Sequence, residues 1–147
     1  MERVLLADDE PVILEILERL LAKEGRELLR ARSADEAIRL ARERGPVDAA
    51  LVDKNLGTRS GLEAARELKQ LDEHTQVILI TAYASLQSAI EAVQLGLYDY
   101  VSKPIDDFDA LELKVSNAVA KAQLGRDHHR TTAALVESEL RNRRILD

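Results

Sequence analysis

The chain has 147 residues, 46% of them hydrophobic and 33% charged, with a formal net charge of -6 and no cysteine. This length and composition are typical of one globular domain with a short appendage, and the lack of cysteine excludes disulfides, thiolate nucleophiles and cysteine-bound zinc while favouring a cytoplasmic location. The negative charge disfavours direct binding to nucleic acid or to an anionic membrane, and no apolar run reaches the roughly 18 residues that a membrane span requires.

The first predicted strand and helix are separated by acidic residues. Val4–Ala7 is an apolar run too short for a helix, and it ends at Asp8 and Asp9. Pro11 suits the first turn of a helix, and apolar residues at helical spacing extend that helix over residues 12–21. The pattern therefore predicts a strand, an acidic turn and a helix.

The next two units repeat this alternation. Residues 27–31 are a candidate strand, and the capping-box pattern Ser33-Ala34-Asp35-Glu36 opens a helix that ends near Gly45-Pro46. The four apolar residues 49–52 then predict a strand buried on both faces, because they are too few for a helix. Asp53 follows at the carboxyl end of this strand.

The rest of the chain continues in the same way. The predicted elements are a loop at 57–61, a helix at 62–71, a strand at 77–80, a helix carrying Ile90, Ala92, Val93 and Leu95, a strand at 97–101, and a last helix from about 107 to 122. Five strand-helix units in succession predict an α/β fold, with a doubly wound parallel sheet covered by helices on both faces.

Several polar residues come at or just after the carboxyl ends of different predicted strands. They are Asp8, Asp9, Asp53, Thr81 and Lys103. Each alone has an ordinary explanation as a turn, cap, strand terminus or surface residue. Because the carboxyl ends of parallel strands share one edge of the sheet, we expect all five side chains to converge there.

Such a convergence needs a cation. Carboxylates about 4 Å apart repel by on the order of 4 kcal/mol per pair at an effective dielectric of about 20. Lys103 supplies one positive charge, and Mg²⁺, which prefers carboxylate, water and phosphate oxygens, would supply two more. The chain has no glycine-rich phosphate loop, so a carboxylate oxygen is the expected nucleophile of a metal-assisted phosphate site.

The motifs Asp8-Asp9, Asp53, Thr81-Ala82 and Lys103-Pro104, in this order and at these spacings, resemble the receiver domain of two-component response regulators, the CheY-like family. The resemblance covers about residues 2–122. It implies a flavodoxin-like sheet of strand order 2-1-3-4-5. It also implies a Mg²⁺-dependent signalling domain, rather than an enzyme, that is phosphorylated by a sensor histidine kinase or a histidine phosphotransfer protein.

The resemblance assigns a role to each matching acidic residue. Asp53 is expected to be the phosphoacceptor and a ligand of Mg²⁺. Asp8 and Asp9 are expected to hold the same ion directly or through water, and the backbone carbonyl of Asn55 is expected to be a further ligand. Asn55 is also expected to tune the rate at which the domain slowly dephosphorylates itself.

The resemblance implies further contacts to the phosphoryl group. Thr81 and Lys103 are expected to bind its oxygens, and the small side chain of Ala82 to leave room for it. The bond between Lys103 and Pro104 is expected to be cis, for which proline is the usual residue. Tyr100 is expected to be the aromatic switch that couples Thr81 to the face formed by the fourth helix, the fifth strand and the fifth helix.

Two residues depart from the family pattern. Gly57 stands where proline is common, so we expect a more mobile loop after Asp53. Tyr83 is bulky where some relatives have a small or acidic residue. Our hypothesis is that its ring shields the acyl phosphate from water and slows dephosphorylation.

The resemblance ends after Ala122, and we expect a receiver domain at 1–124 and a helical tail or linker at 125–147 that leads towards an output or dimerisation element. The polar segment Gly125–Arg130 is predicted to interrupt the last helix. Residues 131–147 look helical again, with Val136 and Leu140 on one side and a solvated cluster formed by Arg141, Arg143 and Arg144.

His128 and His129 leave two alternatives, a metal or phosphohistidine site and a solvated linker. Adjacent histidines do not share a helix face, and we expect no further ligand nearby, which favours the linker. The tail itself is interpreted either as a connector to an output domain or as a dimer-forming extension. Homodimers are expected through this tail or through the face of the fourth helix, fifth strand and fifth helix.

Two other classes of protein share parts of this pattern. A haloacid dehalogenase-type phosphatase also uses a strand-end aspartate with Mg²⁺, but it normally carries a second acid where this chain has Asn55. A flavodoxin-like binding module would need a Ser, Thr or Gly loop after the first strand, where this chain has Asp8-Asp9-Glu10. That acidic loop would repel phosphate.

Overall fold

The computed structural model describes the backbone of residues 1–83 and 85–146, and the side chains of residues 1–83, 85–130 and 136. Strands and helices alternate along the chain. They are β1 (Glu2–Ala7), α1 (Pro11–Leu21), β2 (Arg26–Ala31), α2 (Ala34–Arg44), β3 (Ala49–Asp53), β4 (Asn55–Leu56), β5 (Arg59–Ser60), α3 (Gly61–Leu71), β6 (Gln76–Thr81), α4 (Leu86–Gln94), β7 (Asp99–Ser102) and α5 (Phe108–Leu146).

Five strands form one parallel sheet in the order β2-β1-β3-β6-β7. With the short strands β4 and β5 left out, this is the predicted order 2-1-3-4-5, so the predicted fold is confirmed. The chain leaves β1 towards one edge for β2 and returns to β3 on the other side of β1. The carboxyl ends of β1 and β3 therefore flank the crevice in which open α/β sheets bind ligands.

The sheet is buried on both faces. One face, with Leu5, Ala50 and Val52, packs against α2 and α3. The opposite face, with Leu6 and Leu51, packs against α1 and α5. All five side chains have 0% exposure. This double burial explains why the central strands are continuous apolar runs without alternation.

Serine side chains cap three helices. The hydroxyl oxygen of Ser33 accepts the backbone N–H of Glu36 at 3.1 Å, as the capping-box pattern predicted. Ser60 and Ser85 accept backbone N–H groups at the start of α3 and α4 in the same way. Each cap satisfies a donor that the helix cannot satisfy itself.

The burial of α4 differs from the amphipathic pattern of its sequence. Leu86, Ile90 and Val93 are 79%, 42% and 78% exposed, whereas Ser88 and Ala92 are buried. Helical periodicity therefore predicted the helix, but the apolar stripe faces solvent and the small residues face the sheet. Among the described side chains, this stripe forms an exposed apolar face on α4, which contacts β7.

The segment after Asp53 is not the simple loop predicted at 57–61. β4 and β5 form a two-residue antiparallel hairpin. Gly57 has a φ of +73°, a conformation that favours glycine at the turn. The guanidinium group of Arg59 anchors the hairpin through Asp35 at 2.6 Å and Glu67 at 2.7 Å.

The predicted interruption at Gly125–Arg130 is wrong, because α5 runs without a break from Phe108 to Leu146. Arg126 docks the helix on the body of the domain. Its guanidinium group lies 2.5 Å from a carboxylate oxygen of Asp48 and 2.9 Å from one of Asp72, and it donates to the carbonyl of Val47 at 2.7 Å. The polar segment Gly125–Arg130 thus continues the helix, because the charge of Arg126 is paired with these carboxylates.

Part of the predicted tail lies outside the described side chains, including Leu140 and the expected cluster of Arg141, Arg143 and Arg144. Val136 is described and is 53% exposed. Within the part of the chain that the structure covers, no helix combines the length and the apolar character that a membrane crossing needs.

A buried arginine fastens α5 to the edge of the sheet. β2 begins at Arg26, one residue before the prediction, and this side chain has 0% exposure. It pairs with Glu2 at 2.8 Å and Glu112 at 2.9 Å, and it donates to the carbonyl of Leu21 at 2.8 Å. Burial by itself would lower the pKa of Arg26. Hydrogen bonds and attraction from Glu112 and Glu2 have the larger effect, so the pKa of Arg26 is raised.

Candidate functional site

Three of the predicted site residues meet at the carboxyl edge of the sheet. Asp8 follows β1, Asp53 ends β3, and both side chains are buried, at 1% and 5% exposure. The ammonium group of Lys103 lies 2.5 Å from Oδ2 of Asp53 and 3.1 Å from Oδ2 of Asp8. Two carboxylates that are 45 residues apart in the chain therefore share one cation.

Backbone groups hold the other oxygen of each carboxylate. Oδ1 of Asp53 accepts the N–H of Asn55 at 2.8 Å, and Oδ1 of Asp8 accepts the N–H of Glu10 at 2.9 Å. Such short turns are a property of aspartate, whose side chain reaches the backbone two residues ahead. They fix the orientation of both carboxylates towards Lys103.

The close packing of these charged groups shifts the pKa values of Asp8 and Lys103. Burial, with a smaller contribution from the charge of Asp53, raises the pKa of Asp8 to about 6, although the Glu10 N–H and Lys103 oppose the shift. Burial also lowers the pKa of Lys103, but hydrogen bonds and attraction from Asp53 and Asp8 outweigh it, so this pKa is raised. Lys103 therefore stays charged at neutral pH.

An oxygen-only cluster suited to a hard cation lies beside this trio. One carboxylate oxygen from each of Asp8, Asp9 and Glu10 lies within 4.8 Å of the others, and Asp9 and Glu10 are exposed. Carboxylate oxygens with room for water fit Mg²⁺ well. Glu10 was not predicted as a ligand; its only signal was its position next to Asp9 before the helix.

The Thr81 side chain is buried at the carboxyl end of β6, and its hydroxyl bonds to the loop that follows this strand. It is 2% exposed, and its hydroxyl oxygen accepts the backbone N–H of Tyr83 at 3.2 Å. Its neighbour in β6, Ile80, pairs in register with Asp53. The ring of Tyr83 is 82% exposed, so the proposed shielding of Asp53 would require that ring to turn inward.

The end of β7 places Lys103. Its backbone N–H donates to the carbonyl of Thr81 at 2.8 Å, and the following bond to Pro104 is cis. Ala82 is exposed and lines an apolar depression with Pro104. Tyr100, the expected switch residue, is half-buried on β7 and lines a separate depression next to α5.

Two features around Asp53 were missing from the sequence-based prediction. A side chain at Gly61 would overlap the carbonyl oxygen of Asp53, and the Gly61 N–H donates to the carbonyl of Lys54 at 2.7 Å. The ammonium group of Lys54 donates to the hydroxyl of Ser88 at 2.5 Å. The loop after Asp53 is therefore tied both to the start of α3 and to α4.

Comparisons with known proteins identify the family of this chain. Residues 4–116 match the response regulator receiver domain family. The chain is 41% identical over 106 residues to the response regulator protein PilR of Pseudomonas aeruginosa, a match that covers 71% of this chain and 23% of PilR. The chain spans about a quarter of the length of the curated relatives that it matches.

Solved structures agree as well. A response regulator receiver domain protein from Clostridium thermocellum has a TM-score of 0.77 and 31% identity, covering 84% of this chain and 98% of that chain. A response regulator from Burkholderia pseudomallei, solved with a phosphorylated aspartic acid, calcium ion and citrate, has a TM-score of 0.71 and 25% identity, covering 95% of this chain and 86% of that one.

These matches decide between the three classes of protein that the sequence left open, because they favour neither a phosphatase nor a flavodoxin-like binding module. The sheet order and the shared lysine at its carboxyl edge are consistent with the same assignment. The chain belongs to the response regulator receiver domain family of two-component signalling.

Proposed function

We propose that this domain accepts a phosphoryl group on Asp53 from the phosphohistidine of a sensor histidine kinase or a histidine phosphotransfer protein in the cytoplasm. The observation that carries the proposal is the bridge of Lys103 between Asp53 and Asp8. This bridge holds a permanent cation beside the proposed acceptor oxygen. Positive charge at that position is what a transferring phosphoryl group requires.

The acidic cluster fits Mg²⁺ because it offers only oxygen donors. Its proposed ligands are Asp8, Asp9, Asp53 and the backbone carbonyl of Asn55, and Glu10 lies close enough to add water-mediated contacts. When bound, Mg²⁺ would neutralise negative charge on the phosphoryl oxygens. The calcium ion and phosphorylated aspartic acid of the Burkholderia pseudomallei structure support this assignment.

In the proposed transfer, a carboxylate oxygen of Asp53 forms a bond to phosphorus while the bond between phosphorus and the imidazole nitrogen of the donor breaks. The imidazole leaves with the bonding electron pair and takes up a proton. The Asn55 N–H keeps the Asp53 carboxylate oriented, and Lys103 stabilises charge on the oxygens of the phosphoryl group.

The proposed switch starts from the hydrogen bond that Thr81 makes now. Its hydroxyl is held by the backbone of Tyr83. A phosphoryl group on Asp53 adds about −1.5 to −2 charges and new acceptor oxygens, which would draw the Thr81 hydroxyl away from that bond. Residues 81–83 lie shortly before α4, which begins at Leu86, so the change would move α4 and allow Tyr100 to turn.

The kinase would dock beside the site, on the apolar depression that borders Lys103. Its lining residues are Ile13, Ile16, Leu17, Ala82, Lys103, Pro104, Ile105 and Phe108. Ile16 and Phe108 are 43% and 48% exposed. A phosphohistidine that approaches Asp53 brings its own helix against this rim, so an apolar helix face on the kinase would bury it.

Homodimers would form through a second surface, the apolar stripe of α4 together with β7 and α5. Leu86, Ile90 and Val93 supply this stripe, and the ion pair of Asp99 and Lys114 at 3.0 Å joins β7 to α5. We place the domain boundary near residue 124 and assign residues 125–147 as a helical connector. The docking of Arg126 on the body of the domain would set the direction of this connector.

Acetyl phosphate with Mg²⁺ tests the proposed function. We expect intact-mass spectrometry to show one added phosphoryl group on the wild type and none on Asp53→Asn. Asp106→Asn, an exposed acid on the loop before α5, is the matched control and should be modified like the wild type. Equal modification of Asp53→Asn and wild type would overturn the proposal, as would modification that persists in EDTA.

A further inference from the structure

A histidine pair lies at the opposite end of the molecule from Asp53. His129 lies in the α5 extension, the part of α5 beyond residue 124, and His74 lies in the loop before β6. Their ring centroids are 5.8 Å apart, with planes tilted by 55°. Nε2 of His74 lies 3.5 Å from Oε1 of Glu73. One ligand atom from each of the three residues lies within 4.8 Å of the other two. The expectation that His129 has no further ligand nearby is therefore wrong.

The structure positions His74 from several sides. Its backbone N–H donates to Asp72 at 2.9 Å, and its carbonyl accepts the side-chain amide of Gln76 at 2.9 Å. Glycine at position 125 makes room for the ring, because a Cβ there would come within 2.8 Å of Nδ1 of His74. Arg126 ties the same turn of α5 to Asp72. The ring is thus held against the helix that carries His129.

We propose that Glu73, His74 and His129 form a binding site for a divalent transition-metal ion, with Zn²⁺ as its representative. Two imidazoles and one carboxylate are the ligand types that zinc, nickel and copper ions share, whereas Mg²⁺ prefers oxygen alone. Three protein ligands leave a fourth position for water.

Metal binding requires only side-chain movement. Zinc lies about 2.0–2.1 Å from imidazole nitrogen, so the ligand atoms must approach one another more closely than 4.8 Å. Glu73 is 76% exposed along its side chain and His129 is exposed, so both can turn towards an ion. His74, at 25% exposure, is the fixed ligand.

Such an ion would link two segments that are far apart in the sequence. It would fasten the α5 extension to the loop before β6, at the amino-terminal edge of the sheet, next to the contact of Arg126 with Asp48. The proposed Mg²⁺ site and the histidine site would then lie at opposite edges of the sheet and select different metals. The direction of the connector would depend on occupancy of the histidine site.

Isothermal titration of the full chain with Zn²⁺ tests the site, in buffer with excess Mg²⁺ to occupy the acidic cluster. We expect one tight equivalent on the wild type. His74→Gln and His129→Gln should each weaken it by at least about tenfold, since even the loss of a second-shell partner typically costs about 10–100-fold in affinity. His128→Gln is the matched control and should bind like the wild type, because His128 is absent from the three-residue cluster.

A second measurement separates metal ligation from a structural role of the histidines. Zn²⁺ should raise the melting temperature of the wild type and slow amide exchange at residues 126–130, and neither change should occur with His129→Gln. Circular dichroism checks that each variant is folded. The proposal is overturned if His129→Gln and the wild type bind and respond alike, or if His128→Gln loses as much affinity as His129→Gln.

Discussion

The ammonium group of Lys54 donates a hydrogen bond of 2.5 Å to the hydroxyl of Ser88, a side chain with 0% exposure. Lys54 directly follows Asp53, and Ser88 lies in the first turn of α4. The Ser88 hydroxyl also accepts from Ser85, the cap of that helix. A physical connection therefore runs from the proposed phosphorylation site to the start of α4 without passing through Thr81.

Replacing Lys54 by methionine should loosen the start of α4. The change removes the donor to a buried hydroxyl while keeping most of the apolar stem, so Ser88 and Ser85 lose part of their network. We expect faster hydrogen exchange of the amides at residues 88–91. Lys23→Met, on an exposed lysine beyond α1, serves as the control. Equal exchange in the two variants would show that the contact does not hold α4.

Asp8→Asn should stabilise the metal-free protein at neutral pH. The pKa of Asp8 is about 6 when folded and 3.8 ordinarily, so the folded state retains a proton that the unfolded chain releases. This residue's contribution to stability therefore falls as pH rises from about 4 to 6. At 1.4 kcal/mol per pKa unit, removing the charge should raise the free energy of unfolding by on the order of 1–3 kcal/mol at pH 7.

Urea unfolding in EDTA at several pH values measures this difference. The advantage of Asp8→Asn should shrink as pH falls from 6 to 4 and vanish below that range. Asp106→Asn, in an exposed loop, should track the wild type throughout. A variant that is less stable than the wild type at pH 7 would show that Lys103 compensates the Asp8 charge more than we infer.

Arg26→Met should destabilise the fold strongly. The guanidinium group is fully buried, and removing it leaves Glu112 and Glu2 without their shared partner. Breaking a buried pair typically costs about 3–5 kcal/mol, and the loss here should fall towards the lower end of that range because the side chains of Glu2 and Glu112 are 26% and 35% exposed. Arg19→Met removes an exposed pair with Glu15 and should cost less than about 0.5 kcal/mol. Equal unfolding midpoints in urea would contradict this account of how α5 is held.

Ile16→Asp should separate kinase docking from phosphotransfer chemistry. Ile16 lies on the rim of the depression beside Lys103 and is 43% exposed, so a charge there should not disturb the core. We expect slower transfer from the cognate histidine kinase but unchanged modification by acetyl phosphate, which needs no docking surface. Val93→Asp, on the α4 stripe, is the control for a charge at an exposed apolar residue. If both variants accept phosphoryl groups from the kinase at the wild-type rate, the kinase docks elsewhere.

The parallel sheet and the meeting of Asp8, Asp53 and Lys103 could be predicted from the sequence because both follow from the alternation of strands and helices, whereas the strand order came from the resemblance to receiver domains. Short apolar runs mark strands that are buried on both faces, and parallel strands bring their carboxyl ends to one edge. Residues at those ends are then brought to one edge wherever they stand in the chain. The contacts of each side chain are a separate matter, since Thr81 also ends a strand but its hydroxyl accepts the backbone N–H of Tyr83.

The features that the sequence did not predict depend on contacts between particular pairs of residues. Arg126 and Asp48 are 78 residues apart, and no local pattern shows that this arginine is paired rather than solvated. Without that pair, the polar residues after Gly125 indicate a break in the helix. Similarly, the periodicity of α4 identifies an apolar stripe but not whether anything covers it, and the structure leaves Val93 exposed.

The most direct test of the central claim is to identify the modified residue itself. After treatment with acetyl phosphate and Mg²⁺, borohydride reduction converts a phosphorylated aspartate into homoserine, which peptide mass spectrometry can locate. We expect homoserine at position 53 alone, because Asp53 is the carboxylate closest to Lys103. Homoserine at position 8 or 9, or phosphate retained on His128 or His129, would contradict the account.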